Sequence, residues 1–209
     1  MLARVFDASD PDTKVMHVQM ARLCVLYEDL RIEFAGSEQE KIAELDFIDL
    51  ETRRFYFVRR TLGTLGEVAQ ALNKLNMNSA FKRIRKDWSV PANKEWDEAV
   101  RFFSAGQEFL KAWRDDIGGH FLDRAAEYAI DHADSAGSIE YYRRGRGADV
   151  KLRFAYDLVA VAMTRQQETG ETVQTFLHRA FTFMLEAFTH AINAIQVMIY
   201  EYLGDRFRG

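Results

Sequence analysis

The sequence predicts an all-α protein, built as an up-and-down bundle of long helices. Three observations predict this fold class: only two of the 209 residues are proline, the 12 glycines fall in a few clusters, and apolar residues recur at helical spacing. Because proline and glycine most disfavour a helix interior, few positions interrupt helices here. With 48% hydrophobic residues the chain can bury one substantial core, so we predict a single domain over residues 1–209.

The first helix is predicted to begin near Asp10, with Pro11 at a first helical position, and to end at Gly36. The stretch SEQE at positions 37–40 then has the spacing of a capping box. In that motif the serine oxygen accepts a backbone N–H, and the second glutamate reaches back to the start of the helix. We therefore expect a second helix to begin at this point.

Helical spacing continues from position 55 to position 76 and predicts close contact with a neighbouring helix. Gly63 and Gly66 lie three residues apart on this run, and such small residues let a second helix approach. The basic stretch FKRIRKDWSVP, residues 81–91, then breaks the pattern. It predicts a short helical turn and a connection.

The second half of the chain is also predicted to be helical. Further helices are predicted over residues 95–116, 121–133, 151–167 and 171–202. Asn93 is expected to cap the first of these, and Gly118 and Gly119 to close it. The last would be about 45 Å long. Between them, residues 138–150 combine β-branched and aromatic residues with two glycines, which predicts a short extended arm or hairpin.

Charge and cysteine content exclude several classes of protein. A net charge of −4 excludes a protein that coats nucleic acid generally, so a polyanion would have to bind locally. Cys24 is the only cysteine, so we expect no intramolecular disulfide and no cysteine-based zinc site. The N-terminus lacks the apolar stretch of a signal peptide, and no run of about eighteen apolar residues follows. We predict a soluble cytoplasmic protein that does not enter a membrane.

The stretch WRDDIGGHF, residues 113–121, places an arginine and a histidine at a predicted helix end. In an unbroken helix, side chains six residues apart would point about 120° away from each other. Gly118 and Gly119 can fold the chain over and bring His120 back toward Arg114. Such a pair suits RNA chemistry without a metal or cofactor, because histidine can move the proton of a 2′-hydroxyl while arginine holds the phosphate.

This arrangement resembles the signature of the HEPN superfamily, an arginine followed by a polar residue and then a histidine at a helix end. Arg114 matches the arginine, Asp115 the polar residue and His120 the histidine. The resemblance implies a metal-independent endoribonuclease or a degenerate relative. It also implies a homodimer with the two motifs facing each other, and a toxin, abortive-infection or RNA-processing context. A nucleotidyltransferase antitoxin is the kind of protein partner it suggests.

Two basic clusters are candidate RNA-binding sites, because arginine and lysine hold phosphates and nearby aromatic rings can stack on bases. The first is followed by Trp88 and the second is preceded by Tyr141 and Tyr142. Their members are Lys82, Arg83, Arg85 and Lys86, and Arg143, Arg144 and Arg146. The alternative is that these side chains are solvated and flank nearby acids.

The last predicted helix carries a stripe of polar residues that has two interpretations. Its members are His178, Thr182, Glu186, His190 and Asn193. It is a polar seam against another helix or subunit, or a set of metal ligands. We also expect His17 and His132 to be partly exposed.

The first predicted helix carries a dense set of charges, Glu28, Asp29, Arg31 and Glu33. These residues are expected to form an ion-paired face, and one of the carboxylates is a candidate to orient Arg114.

Two other function classes stay open beside the ribonuclease. One is a non-enzymatic helical module that packs against a partner protein, and the other is a metal-binding bundle.

Overall fold

The computed structural model describes residues 10–38, 50–115, 123–132, 139–144 and 147–203. In these ranges the protein is a bundle of α-helices with one short hairpin, as the sequence predicts. The helices are α1 (Pro11–Glu38), α2 (Leu50–Met77), α3 (Ser79–Ile84), α4 (Val90–Ala105), α5 (Gln107–Trp113), α6 (Asp123–His132), α7 (Arg153–Met163) and α8 (Val173–Met198). The strands are β1 (Ile139–Arg144) and β2 (Gly147–Leu152), and the bundle ends with a π-helical turn at Ile199–Leu203.

Helix α1 begins where the sequence predicts but does not end there. The Asp10 side chain caps the helix, because its Oδ1 accepts the backbone N–H groups of Asp12 and Thr13, both at 3.0 Å. The predicted end at Gly36 is wrong, since α1 continues to Glu38 and Gly36 lies buried against the ring of Phe57 on α2. The absence of a side chain at Gly36 lets α1 and α2 approach closely.

The capping box expected at positions 37–40 is also wrong where the structure describes it. Ser37 lies inside α1, and its hydroxyl donates to the carbonyl oxygen of Phe34 at 2.7 Å. A serine that bonds one turn back into its own helix cannot cap a new one. The remaining two residues of the motif lie outside the described residues.

The main core lies between α1, α2, α4 and α8, with α3 closing one end. Helix α1 packs along α2, α4 packs along α8, and α8 contacts both α1 and α2. Three aromatic rings meet in this core: Phe81, Trp88 and Trp96, with centroids 4.8 to 5.8 Å apart. All three side chains are buried, so they contribute large apolar surfaces to the bundle.

A second apolar cluster lies where α5, α6 and α7 meet α2 and α8. Its residues are Leu62, Trp113, Ala125, Ala129, Val159, Ala162, Met163, Phe176 and Ala180. Helix α6 packs against α7, and the alanines allow these helices to approach closely. Met184 on α8 packs against both clusters, so α2 and α8 are shared by the two.

The helix predicted over 95–116 is two helices, because the chain turns at Gly106. The backbone N–H of Gly106 donates to the carbonyl oxygen of Phe102 at 3.0 Å and ends α4. Gly106 is buried, and a side chain there would run into the ring of Phe183 on α8. Helix α5 begins at Gln107, directly after this close contact.

The cap of α4 differs from the prediction as well. Ser89 is the N-cap, and its hydroxyl accepts the backbone N–H of Ala92 at 3.4 Å. Asn93 lies within the first turn instead, where its side-chain amide donates to the carbonyl oxygens of Arg85 and Trp88 at 3.1 and 3.2 Å. These hydrogen bonds connect the preceding 3₁₀ turn, Arg85–Asp87, to α4.

The two strands form an antiparallel hairpin within the segment for which an extended arm was expected. Ile139 lies opposite Leu152, and Arg144 lies opposite Gly147. The last helix begins later than predicted, with Thr172 as its N-cap and Gly170 in a left-handed conformation (φ 84°) just before it. Among the described helices, none is both long and apolar enough to cross a membrane.

Gly106→Ala should destabilise the protein although alanine favours a helix. The new methyl group would meet the ring of Phe183, which is held between Phe102 and Phe109 with centroids 5.1 and 5.0 Å away. We expect the free energy of unfolding to fall by about 1–3 kcal/mol, measured by urea denaturation.

The matched control is the double variant Gly106→Ala with Phe183→Leu. Because Phe183→Leu removes the ring, the double variant should lose less free energy of unfolding than the sum of the two single variants. A Gly106→Ala protein as stable as the wild type would contradict the role given to this contact.

Candidate functional site

A cleft of mixed polar and apolar lining lies between α2, α4 and α5 and contains the arginine of the predicted motif. Its volume is about 240 Å³. Its walls are Gly66, Ala69, Gln70, Leu72 and Asn73 from α2, Val100, Phe103 and Ser104 from α4, and Gln107, Leu110, Lys111 and Arg114 from α5 and its end. Apolar residues form the base of the cleft, and amide, hydroxyl and cationic groups are spread over its walls.

Close packing at Gly66 sets the position of Arg114. A Cβ atom on Gly66 would lie 3.2 Å from Cδ of Arg114 and 3.3 Å from its Cβ, which is tighter than an ordinary contact. The glycine therefore lets the arginine stem lie directly on α2. Gly66 thus confirms the prediction of close packing with a neighbouring helix, and the neighbour is the end of α5.

Asp115 orients the guanidinium of Arg114. The Nε and Nη2 atoms of Arg114 donate to Oδ1 of Asp115 at 2.9 and 2.6 Å. The two side chains keep 27% and 29% of their surface exposed. The pair is therefore partly open to solvent beside the cleft.

His120, Gly118 and Gly119 lie outside the described residues. The approach of His120 to Arg114 therefore stays a prediction. The ion pair of Arg114 with a neighbouring acid fits a catalytic arginine and equally an ordinary helix end.

The charge of the cleft favours an anionic ligand. No acid is among the described residues that line it, but the carboxylate of Asp115 already pairs with Arg114 beside it. Lys111 and Arg114 are both cationic and lie one turn apart on the same side of the chain, so the two cations exceed the one neighbouring acid. Gln70, Asn73 and Gln107 add side-chain amides, which donate hydrogen bonds to phosphate and sugar oxygens in nucleic-acid complexes. Cations beside several neutral donors suit a phosphate bound to a sugar.

Lys111 and the three amides were not among the residues predicted from the sequence. The available signal was their spacing: Lys111 precedes Arg114 by three residues, and Gln70 and Asn73 follow Gly66 by four and seven. These intervals place residues on one face of a helix. The sequence does not show that α2 and α5 meet at that face.

The first basic cluster is divided between the core and the surface. Lys82, Arg83 and Lys86 are exposed, as a phosphate-binding role requires. Arg85 is instead held within the fold, with its guanidinium donating to Asp97 Oδ1 at 2.8 Å and lying 5.8 Å from the Trp88 ring centroid. Arg85 also donates to the side chains of Asn76 and Asn93.

Trp88 lies buried in the aromatic core, so its ring is not accessible to a base in this conformation. The suggestion that it stacks on RNA is therefore wrong for the folded protein. The three exposed cations remain a predicted phosphate-binding surface.

The second basic cluster is described only in its backbone. Arg143 and Arg144 lie near the end of β1, opposite Ala148 and Gly147 of β2. Arg146 lies outside the described residues. The predicted RNA contacts of this cluster stay a prediction.

The polar stripe on α8 meets α4 at its C-terminal end. The His190 ring lies 4.7 Å from that of Phe102, and the side-chain amide of Asn193 donates to Oε2 of Glu95 at 3.4 Å. His178 and Glu186 are exposed. Within the described ranges no three acidic, histidine or cysteine side chains come close enough together to hold a metal ion. The contacts agree with a polar seam between helices.

The prediction that His17 is partly exposed is wrong. It is buried, and its Nε2 lies 2.8 Å from the hydroxyl oxygen of Tyr202. This hydrogen bond joins α1 to the turn after α8, so the side chain supports the fold. His132 is exposed as expected, and its ring stacks on Tyr128 at 4.1 Å.

The charged face of α1 does not orient Arg114. Arg31 donates to both carboxylate oxygens of Glu28 at 3.2 and 3.1 Å, as the ion-paired interpretation predicts. Glu33 is buried against α2, where its Oε1 accepts the hydroxyl of Thr64 at 2.9 Å and lies 3.7 Å from Nε of Arg60. Burial raises the pKa of Glu33, and the hydrogen bond from Thr64 and the charge of Arg60 offset part of that rise.

Comparison of the chain with family models, curated proteins and solved structures finds no match.

The buried carboxyl of Glu33 should make stability depend on pH. Because its pKa is higher in the folded than in the unfolded protein, the stability it contributes is complete below the unfolded pKa near 4.3 and is lost as pH rises through the folded pKa. Glu33→Gln has no such titration. The variant's free energy of unfolding, relative to wild type, should therefore increase between about pH 4 and about pH 7.

Urea denaturation at the two pH values measures this difference. The matched control is Glu28→Gln, on the exposed face of the same helix. A difference that stays constant with pH, or that the control shares, would contradict the burial of an ionisable Glu33.

Proposed function

We propose that the protein is a cytoplasmic, HEPN-like, metal-independent endoribonuclease that uses Arg114, Asp115 and His120. The observation that carries the proposal is the position of Arg114, which is partly exposed at a helix end and opens onto a cleft without acidic lining among the described residues. The motif spacing from Arg114 to His120 supports the same function. The homodimer, and a nucleotidyltransferase antitoxin as partner, belong to this proposal.

The chemistry requires a proton acceptor and a positive charge beside one phosphate. His120 would take the proton of the 2′-hydroxyl, and the 2′-oxygen would attack the adjacent phosphorus. The bond from phosphorus to the 5′-oxygen of the next nucleotide would break, which gives a 2′,3′-cyclic phosphate, and the leaving 5′-oxygen would take up a proton to become a hydroxyl. Arg114 would stabilise the negative charge that grows on the phosphate during this step.

The cleft supplies a binding surface for the nucleotide that carries this phosphate. Lys111 would contact a neighbouring phosphate, and the amides of Gln70, Asn73 and Gln107 would hydrogen-bond to sugar or base. Such local contacts would allow a chain of net charge −4 to bind RNA. The exposed Lys82, Arg83 and Lys86 would extend the surface that RNA contacts.

Cleavage of an RNA with structured and single-stranded parts, in EDTA, tests the proposal. We expect cleavage by the wild type, a loss of about 100-fold or more on Arg114→Ala or His120→Ala, and products that end in a cyclic phosphate. Lys111→Ala should weaken RNA binding more than it slows the bound reaction. The matched control is Arg101→Ala, an exposed arginine of α4 that does not line the cleft.

Cleavage that survives both Arg114→Ala and His120→Ala would contradict the assignment of these residues. No cleavage by any of the proteins would contradict a working nuclease.

A second candidate function is a non-enzymatic module that packs against a partner protein. A groove of about 680 Å³ between α1, α2 and α8 favours it, because apolar side chains dominate its lining. Phe34, Phe181 and Leu185 are exposed there. Exposed apolar patches of this kind mark protein-binding surfaces. Absence of cleavage together with loss of partner binding on Leu185→Asp would support this function over the first.

A further inference from the structure

Helix α1 carries a second apolar face that no other part of the described chain covers. Val18, Val25 and Ile32 are spaced seven residues apart and keep 55%, 62% and 64% of their surface exposed. On the opposite side of the same helix Met20, Leu23 and Leu30 are fully buried in the core. The helix is therefore apolar on two sides, and only one of them is used within the chain.

The exposed face has the pattern of a heptad repeat. Val18, Val25 and Ile32 alternate with Ala21, Glu28 and Ala35, at intervals of three and four residues. We name these six residues the α1 stripe. β-Branched residues at one heptad position, with alanine at two of the three places of the other, allow two helices to approach closely.

We propose that the α1 stripe binds the same stripe of a second copy of this chain, with the two helices antiparallel. In this arrangement Val18 meets the partner's Ala35, Ile32 meets the partner's Ala21, and Val25 meets the partner's Glu28. Each large side chain faces a small or flexible one, so the surface is complementary to itself. A two-fold axis between the helices repeats every contact.

Charge favours the antiparallel arrangement. Arg22 and Asp29 flank the stripe on one side, seven residues apart. The antiparallel register brings Arg22 of each copy beside the partner's Asp29, so the two-fold axis gives two such contacts. Arg22 already pairs with Glu67 of α2 and would then lie between two carboxylates. A parallel pair would instead place Glu28 opposite the partner's Glu28. Arg31, one turn after Glu28 on α1, forms an ion pair with it. This pair holds the Glu28 carboxylate toward the edge of the stripe.

The α1 stripe is separate from the cleft. The two surfaces share no residue, and the cleft is built from α2, α4 and α5. Pairing through α1 therefore leaves Arg114 accessible in both copies, and it is a different interface from the homodimer of the proposed function, in which the two motifs face each other. The inference does not depend on ribonuclease activity, and either can fail without the other.

Cysteine cross-linking tests both the contact and its direction. In a Cys24→Ser background, Val18→Cys and Ile32→Cys proteins are treated with a short bismaleimide, each alone and as a mixture. The antiparallel pair brings position 18 close to the partner's position 32, whereas the two copies of position 18 lie about 26 Å apart along the helix. We expect cross-linked dimers from the mixture and few from either protein alone.

Cross-links formed by each protein alone, with none gained on mixing, would overturn the antiparallel arrangement. The absence of any cross-link at concentrations where the protein is dimeric would overturn the use of the stripe.

Sedimentation over a range of concentrations tests the strength of the pair. Val25→Asp should weaken the association about tenfold or more, because the new charge would lie beside the partner's Glu28. Glu28→Leu should strengthen it several-fold by completing the apolar repeat. The matched control, Val90→Asp, adds the same charge at an exposed site on α4 and should leave the association unchanged.

Circular dichroism of each variant would confirm that the helical fold is retained. A wild type that stays monomeric at every concentration, or equal effects of Val25→Asp and Val90→Asp, would overturn the proposal.

Discussion

Burial of α2 on several sides is the constraint on which the rest of the structure depends. This helix contacts α1, α3, α4, α5 and α8, and its leucines belong to both apolar clusters. Leu62 lies in the second cluster, and Leu65, Leu72 and Leu75 lie in the first. A helix surrounded in this way needs small residues where neighbours come closest, and Gly66 is that residue on the side of α5. The cleft lies where α4 and α5, which follow each other through the turn at Gly106, both contact α2.

The ion pair of Arg114 with Asp115 connects this packing to function. Pairs with this much exposure contribute up to about 1 kcal/mol, so the pair orients the guanidinium without fixing it strongly. A phosphate that enters the cleft would therefore compete with Asp115 or share the arginine with it. Arg85 shows the contrasting case: its guanidinium is bonded to several groups and lies over two tryptophan rings, which fixes it within the fold.

Periodicity was sufficient to predict the helical class, because apolar spacing reports which face of a helix is buried. It did not predict what each glycine does. Gly36 lies within a continuous helix and Gly106 lies at a break, although both face an aromatic ring on a neighbouring helix. Whether the helix continues or ends at such a glycine depends on where the neighbouring helix lies. The local sequence does not give that position. Trp88 and His17 were misjudged for the same reason, since their burial follows from the packing of α3 and of the last turn.

The candidate site was predictable only in part. Arg114 and Asp115 were found because they are adjacent in a motif, whereas Gln70 and Asn73 reach the cleft from a helix forty residues earlier. Nuclear magnetic resonance of the side-chain amides of Gln70, Asn73 and Gln107, titrated with a short 2′-O-methyl RNA that cannot be cleaved, tests the site most directly. We predict that these resonances shift on titration and that Lys111→Ala weakens the response. Shifts confined to other parts of the chain, or no shifts at all, would contradict an RNA-binding cleft at Arg114.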